Sequence, residues 1–208
     1  MRIEKLNSTP DMAGRYRVQF EDGSILRLYR QTVEDFGLYS GMDLSDNDMK
    51  RLQTAAGEMS AKMRAVRIVS ASSVSKKDLE KRLIQKGEKP DQAKAAVAWM
   101  EDLSLLDDRK TAEQVVYRCI SKGYGLTRAK QALYEKRIPK ELWDEVLEDY
   151  PDQQDHILSF LESRLTAQSD DKEIRKAIDA LMRKGHTYYH IRRALDQLSF
   201  DTDEFPEE

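Results

Sequence analysis

Several residues in this chain have types and spacings that could do chemistry. His186 and His190 stand four apart, the separation at which one helix turns two imidazoles toward a metal ion. Gly185 breaks that helix and puts His186 in a loop, and no third ligand of matching spacing is near. A surface or capping role is therefore expected, with no metal and no cofactor. Cys119 is the single cysteine. It sits beside Val115, Val116 and Ile120 and reads as a buried small apolar residue. Asp107 and Asp108 could form an acid–base pair, but the simpler reading makes Asp108 the N-cap of the helix that follows. The sequence has no glycine-rich phosphate loop, nucleophile elbow or HExxH, so no catalytic residue and no enzyme are expected.

Basic residues gather at two places. Arg118, Lys122, Arg128 and Lys130 cluster around Tyr124, and Arg183, Lys184, Arg192 and Arg193 surround Tyr188 and Tyr189. Cations beside aromatics grip phosphates and stack on bases. A charged face is also the ordinary exterior of a helix, and interleaved acids dilute both clusters. These eight residues are the candidate partner-binding set.

Composition narrows the classes open to the chain. It has 208 residues, 35% charged and 39% apolar, and a net charge of −3. That balance suits helices with solvated outer faces. No apolar run approaches the roughly 20 residues needed to span a bilayer, and Met1 to Leu6 lacks a signal-peptide core. A soluble, cytoplasmic protein without membrane contact is expected. One cysteine excludes a disulfide framework. Lys and Arg number 19 against 15 acids over residues 61–149. This surplus is far below that of an autonomous DNA-binding domain.

The elements that must position these residues are mostly helices. Arg15 to Phe20 and Ser24 to Tyr29 alternate as strands around Asp22-Gly23, a two-residue turn that favours positive φ at both positions. Ile3 to Leu6 adds a third strand, and Gln31 to Leu38 a short helix. Ser45, with Asp48 three residues on, caps a long helix running to Ser72. Lys76–Gln85 follows, capped by Ser75 and stopped at Gly87, and then a helix from Pro90 to about Leu103. The next three helices span Thr111–Lys122, Leu126–Lys136 and Pro139 to about Tyr150. The last three span Gln153–Thr166, Asp171–Lys184 and Tyr188–Leu198.

Three stretches superimpose: Asp78–Gly87, Arg128–Arg137 and Lys176–Gly185. A second apolar stripe follows each in the same phase, namely Ala93, Ala96, Val97 and Met100, then Trp143, Val146, Leu147 and Tyr150, then Ile191, Ala194, Leu195 and Leu198. A period near fifty residues marks a helical unit copied three times, a binding scaffold rather than a single-pocket enzyme. The expected fold is mainly α, an elongated array of three tandem three-helix repeats with a small N-terminal β-rich extension. The boundaries are 1–44 for the extension, 45–108 for the linking helix and repeat one, 109–152 for repeat two and 153–200 for repeat three. Residues 201–208 form an acidic, frayed tail.

At this level the motifs resemble those of RecX regulatory proteins. Ser75-Lys76-Lys77-Asp78-Leu79 with Leu83 and Lys86-Gly87 is similar to the first-repeat S-x-x-E/D-L…L…K-G pattern. Leu106-Asp107-Asp108 followed by Ala112 resembles the signature between repeats one and two. Gly123-Tyr124-Gly125 and Leu133 to Ile138 resemble the breaker and ending of repeat two, and Leu181 to Gly185 repeats that ending. The likeness covers roughly residues 60–200, and the N-terminal extension is similar to that of Gram-positive members. Two departures stand out. Thr111 occupies a usual aromatic position and alters packing at the repeat junction. Arg137 replaces a glycine, which disfavours a tight left-handed turn there.

The resemblance implies a non-enzymatic modulator of the RecA recombinase. It would lodge in the RecA filament and restrain ATP hydrolysis, strand exchange and co-protease activity in DNA repair, recombination and the SOS response. Arg118, Lys122, Arg128, Lys130, Arg183, Lys184, Arg192 and Arg193 would meet acidic filament surface or DNA phosphates. The alternative is a helical module that binds single-stranded nucleic acid directly, and a third reading is a purely structural adaptor. A monomer is expected, because no heptad seam persists.

Overall fold

The computed structural model describes residues 1–200; the acidic octet expected to be a frayed tail lies outside them. The chain is mainly α with a small N-terminal sheet, and it divides into two compact units, Met1–Leu106 and the residues from Asp107 onward. Among the described residues no helix is long and apolar enough to cross a membrane.

The first unit opens with β1 (Ile3–Leu6), β2 (Arg15–Phe20) and β3 (Ile25–Tyr29), an antiparallel sheet in the order β1-β2-β3. Val18 pairs with Leu26 across β2 and β3. The hairpin loop differs from the expected two-residue turn. Gly23 takes φ +81° while Asp22 stays at negative φ. The Gly23 N–H donates to the Phe20 carbonyl at 2.9 Å and the Phe20 N–H to the Ser24 carbonyl at 3.0 Å, a turn followed by a glycine bulge. Asp22 favours this form because its carboxylate accepts from the Ser24 N–H and Oγ.

After α1 (Arg30–Asp35), α2 (Asp46–Ala71) begins at Ser45, whose Oγ accepts from the Asp48 N–H at 3.1 Å. This helix serves two cores. Met49 and Leu52 complete the sheet's core with Ile3, Val18, Phe20 and Leu28, which keeps one face of a three-stranded sheet dry. Ala61 and Ala65 enter the next core with Leu79, Leu83, Ala93, Ala96 and Met100. Those last residues come from α3 (Lys76–Gln85) and α4 (Pro90–Asp102). Small residues facing one another let α2 and α4 approach closely, and a Cβ on Gly57 would lie 2.2 Å from the Gln92 amide. Each leucine that is fully buried here contributes roughly 1.5–3 kcal/mol.

The second unit holds α5 (Asp108–Ser121), α6 (Leu126–Glu135), a 3-10 turn at Lys140–Leu142 and α7 (Trp143–Leu147). Their core contains Ala112, Val115, Val116, Cys119, Ala129, Leu133 and Ile138. Then come α8 (Gln154–Glu162), α9 (Asp171–Arg183) and α10 (Tyr188–Gln197), around Ile157, Leu161, Ile174, Ile178, Leu181, Ile191 and Leu195. The helix expected over Gln153–Thr166 is shorter, because Ser163 caps it and Thr166 turns back to Ser169.

One stop recurs. After α3, α6 and α9 the chain turns through Gly87 (φ +93°), Arg137 (φ +56°) and Gly185 (φ +87°). In each case the next N–H reaches back five residues to a buried leucine carbonyl: Glu88 to Leu83, Ile138 to Leu133 and His186 to Leu181, at 3.1, 3.0 and 3.2 Å. This six-to-one bond is the Schellman closure. Arg137 therefore makes the left-handed turn that its side chain disfavours. The paired hydrogen bonds and the burial of Leu133 and Ile138 outweigh about 1–2 kcal/mol of local strain.

Candidate interaction surface

The stop after α9 docks on the breaker between α5 and α6. The Gly125 N–H donates to the Lys184 carbonyl at 3.0 Å, and the His186 Nε2–H donates to the Gly123 carbonyl at 2.9 Å. A Cβ on Gly125 would lie 2.0 Å from the Gly185 oxygen, and one on Gly185 would lie 2.4 Å from the Arg128 nitrogen. Close backbone approach thus requires both glycines, and Gly185 is also required by its left-handed turn, whereas Gly125 is extended at φ −75°. The Tyr150 hydroxyl braces the same loop by donating to the Tyr124 carbonyl at 2.6 Å, and burial pushes its pKa to about 12.

His186 is consequently not a surface residue. It is 4% exposed, and burial holds its pKa below the ordinary imidazole value. The Gly123 carbonyl can only accept, so the neutral ring carries its proton on Nε2, and no described group bonds Nδ1. His190 belongs to a different setting. Its N–H is accepted by Thr187, the N-cap of α10, and its Nδ1 lies 3.1 Å from the Thr187 hydroxyl. Among the described residues no cluster could hold a metal ion.

The eight basic candidates separate into those gathered by this seam and those outside it. Lys122 caps α5, with its Nζ 6.0 Å from the Tyr124 ring centroid; Arg118 lies one turn earlier on the same helix. Arg128 is half-buried against Gly185, and its guanidinium reaches Glu135 at 3.2 Å. Lys184 supplies the seam's carbonyl while its Nζ sits 4.4 Å from the Phe160 centroid, where Arg164 also lies at 5.4 Å. The seam thus unites Lys122, Arg128 and Lys184. Lys130 on α6 and Arg183 at the end of α9 are exposed. On α10, Arg192 is half-buried and Arg193 pairs with Asp152 at 3.6 Å.

The aromatics are distributed differently from the sequence expectation. Tyr124 and Tyr188 are half-buried against their cores, while Tyr189 is 71% exposed. Tyr117 and Tyr134, which sequence reasoning passed over, are 73% and 69% exposed. The signal was their phase. Tyr117 falls off the inward stripe of Ala112, Val115, Val116 and Cys119, and Tyr134 follows the inward Leu133.

The remaining candidates are structural. Asp107, not Asp108, caps α5: its extended backbone lets one carboxylate oxygen accept from the Arg109 and Lys110 N–H groups at 2.9 and 3.1 Å. Asp108 is the buried first helical residue. Thr111 is also buried, with its hydroxyl donating to the Asp107 carbonyl at 2.8 Å. Cys119 is buried, and burial raises its thiol pKa against the opposing pull of Arg128, Lys122 and Arg118, so the thiol stays protonated and unreactive.

Small helical sets closed by one recurring stop, behind an N-terminal sheet, define a helical-repeat protein. Comparison with known proteins narrows the class. A family model described as RecX, second three-helix domain, matches residues 107–147. Regulatory protein RecX of Chlorobium phaeobacteroides is 33% identical over 102 residues, covering 48% of this chain and 67% of that protein. Regulatory protein RecX of Clostridioides difficile is 21% identical over 206 residues, covering 96% of this chain and 97% of that one. A crystal structure of regulatory protein RecX aligns with a TM-score of 0.63 at 20% identity, covering 94% of this chain and 98% of the other, and so shares the fold. The chain belongs to the RecX family. A regulatory role, by which those relatives are named, is what this membership supports.

Proposed function

We propose that this protein is a non-enzymatic regulator that binds the RecA recombinase filament and restrains its ATPase, strand-exchange and co-protease activities. Family membership supports the partner class. The observation that carries the choice of surface is the glycine-to-glycine seam, which holds Arg128 and Lys184 beside one backbone junction with Lys122 nearby. Cations fixed to one rigid junction complement an acidic protein surface at low entropic cost. Arg118, Lys130, Arg183, Arg192 and Arg193 extend this basic set, and exposed Tyr117, Tyr134 and Tyr189 offer aromatic anchors of the kind enriched in interfaces. The protein acts in the cytoplasm as a monomer in this reading.

The experiment titrates the full chain into recombinase ATPase and strand-exchange reactions on single-stranded DNA, beside a naked-DNA binding control. Both recombinase activities are expected to fall. Reversing Arg128, Lys130, Arg192 and Arg193 to Glu is expected to weaken filament binding by about tenfold or more. Unchanged filament binding by that variant would remove these residues from the surface. Binding to naked DNA with no effect on the recombinase would favour the direct nucleic-acid reading instead.

A further inference from the structure

The first unit contains a groove that none of these readings uses. It lies between the second half of α2 and α3, has a volume of about 530 Å³, and is lined by Arg64, Arg67, Arg82 and Lys86. Ile68 and Ala71 contribute apolar surface and Ser72 a hydroxyl. Arg64 and Arg67 are three apart on α2, and Arg82 on α3 lies four residues before Lys86, the C-cap of that helix, so each pair falls on one side of its helix. We propose that this groove binds a phosphoryl group, either as a free phosphate anion or as a phosphate of a nucleic-acid strand.

Three observations favour that chemistry. First, the charge is concentrated and incompletely matched. The carboxylates bonded to these cations are Glu88, 2.9 Å from Arg64 Nε, and Asp78, 2.8 Å from Arg82 Nη2. Arg67 bonds only neutral acceptors among the described residues, the Tyr29 hydroxyl at 2.9 Å and the Ala13 carbonyl at 3.3 Å. Lys86 is exposed, and its carbonyl accepts from Arg64 Nη1. Four cations against two anions leave a formal surplus of two positive charges.

Second, the arginines are already oriented. Glu88 is 8% exposed and also accepts from the Ser60 hydroxyl at 2.9 Å, so it is a fixed anchor for Arg64. Asp78 is likewise buried and holds Arg82, whose Nη1 lies 3.5 Å from the Ser72 Oγ. Pre-positioned guanidinium forks lose little freedom on meeting a tetrahedral oxyanion and bind it through paired N–H groups. Third, no aromatic residue lines the groove, so it offers no stacking platform for a base. A phosphoryl group also brings up to about two negative charges in one compact unit, where a side-chain carboxylate brings one.

The test uses the full chain without recombinase, so its result is independent of the filament reading. Inorganic pyrophosphate is titrated by calorimetry, and a fluorescein-labelled oligothymidylate by anisotropy, at about 50 mM and about 200 mM salt. Saturable binding of at least one probe is expected, weakening as salt rises. Arg67→Gln combined with Lys86→Gln is expected to weaken it by about tenfold with an unchanged thermal melt. Arg82→Lys keeps the charge but loses the fork, and should bind more weakly than wild type yet more tightly than Arg82→Gln. Binding of pyrophosphate alone assigns a free anion; binding of the oligonucleotide through these residues assigns a strand phosphate. The proposal fails if neither probe binds, if the double variant binds as wild type does, or if a polyglutamate peptide alone is captured.

Discussion

The turn that closes α3 and the turn that closes α9 are nearly the same object, yet the residues leaving them do opposite things. Gly87 and Gly185 have φ of +93° and +87°, and each is followed by a buried polar residue whose N–H returns to a buried leucine. In the first unit that residue is Glu88, an anion satisfied by Arg64 and Ser60. In the second it is His186, a neutral ring donating to a carbonyl 63 residues away in sequence. At the equivalent place after α6, Ile138 is simply apolar core. The backbone motif is thus separable from its occupant. The turn specifies where the chain goes, and the next side chain specifies what it meets.

One substitution made at both turns should separate them most strongly. Gly185→Ala adds a methyl 2.4 Å from the Arg128 nitrogen in addition to left-handed strain, and should cost about 3 kcal/mol or more. Gly87→Ala meets nothing within 4 Å and should cost only the strain, about 1 kcal/mol. Urea denaturation of both variants checks the ratio; equal losses would mean that the seam does not tighten the second turn. Next, Glu88→Ala deprives Arg64 and Ser60 of their buried acceptor and should cost about 2 kcal/mol in the same assay.

Acid should distinguish the two occupants next. All three histidines lie in the second unit. Burial depresses the pKa of His186 in the folded state. The unfolded chain then binds a proton first, so stability holds above about pH 6.5 and falls as pH drops through that value toward the folded pKa. Melting at pH about 7.5 and about 5 should show this loss, and His186→Gln, which keeps a donor for Gly123, should reduce it. The smallest effect belongs to α4, whose stop places Ser104 at φ +56°. Ser104→Gly should stabilise by about 0.5–1 kcal/mol, measured as a raised melting temperature.

Much of this architecture was legible from the residues alone. The leucines at 83, 133 and 181 share a phase, each lies four residues before its turn residue, and the apolar stripes that follow keep the same register. Periodicity reports which face is buried, and the helices follow. Arg137 misled because propensity weighs one residue, whereas Leu133 and Ile138 fix the turn from both sides. The seam was not legible for a different reason. Gly125 reads in sequence as punctuation, and its second role depends on Gly185, sixty positions away. Nor did the charged stretches of α2 and α3 announce a groove. Arg64, Arg67, Arg82 and Lys86 look like solvated exteriors until the two helices are placed side by side.

The Gly125 amide also reports on the seam. It belongs to a loop, where backbone protons ordinarily trade with solvent quickly, yet it is committed to the Lys184 carbonyl. Its deuterium uptake therefore tracks the opening of that seam rather than the fraying of α6. A single slowly exchanging glycine proton thus acts as a local clock for how long the basic residues around it stay assembled.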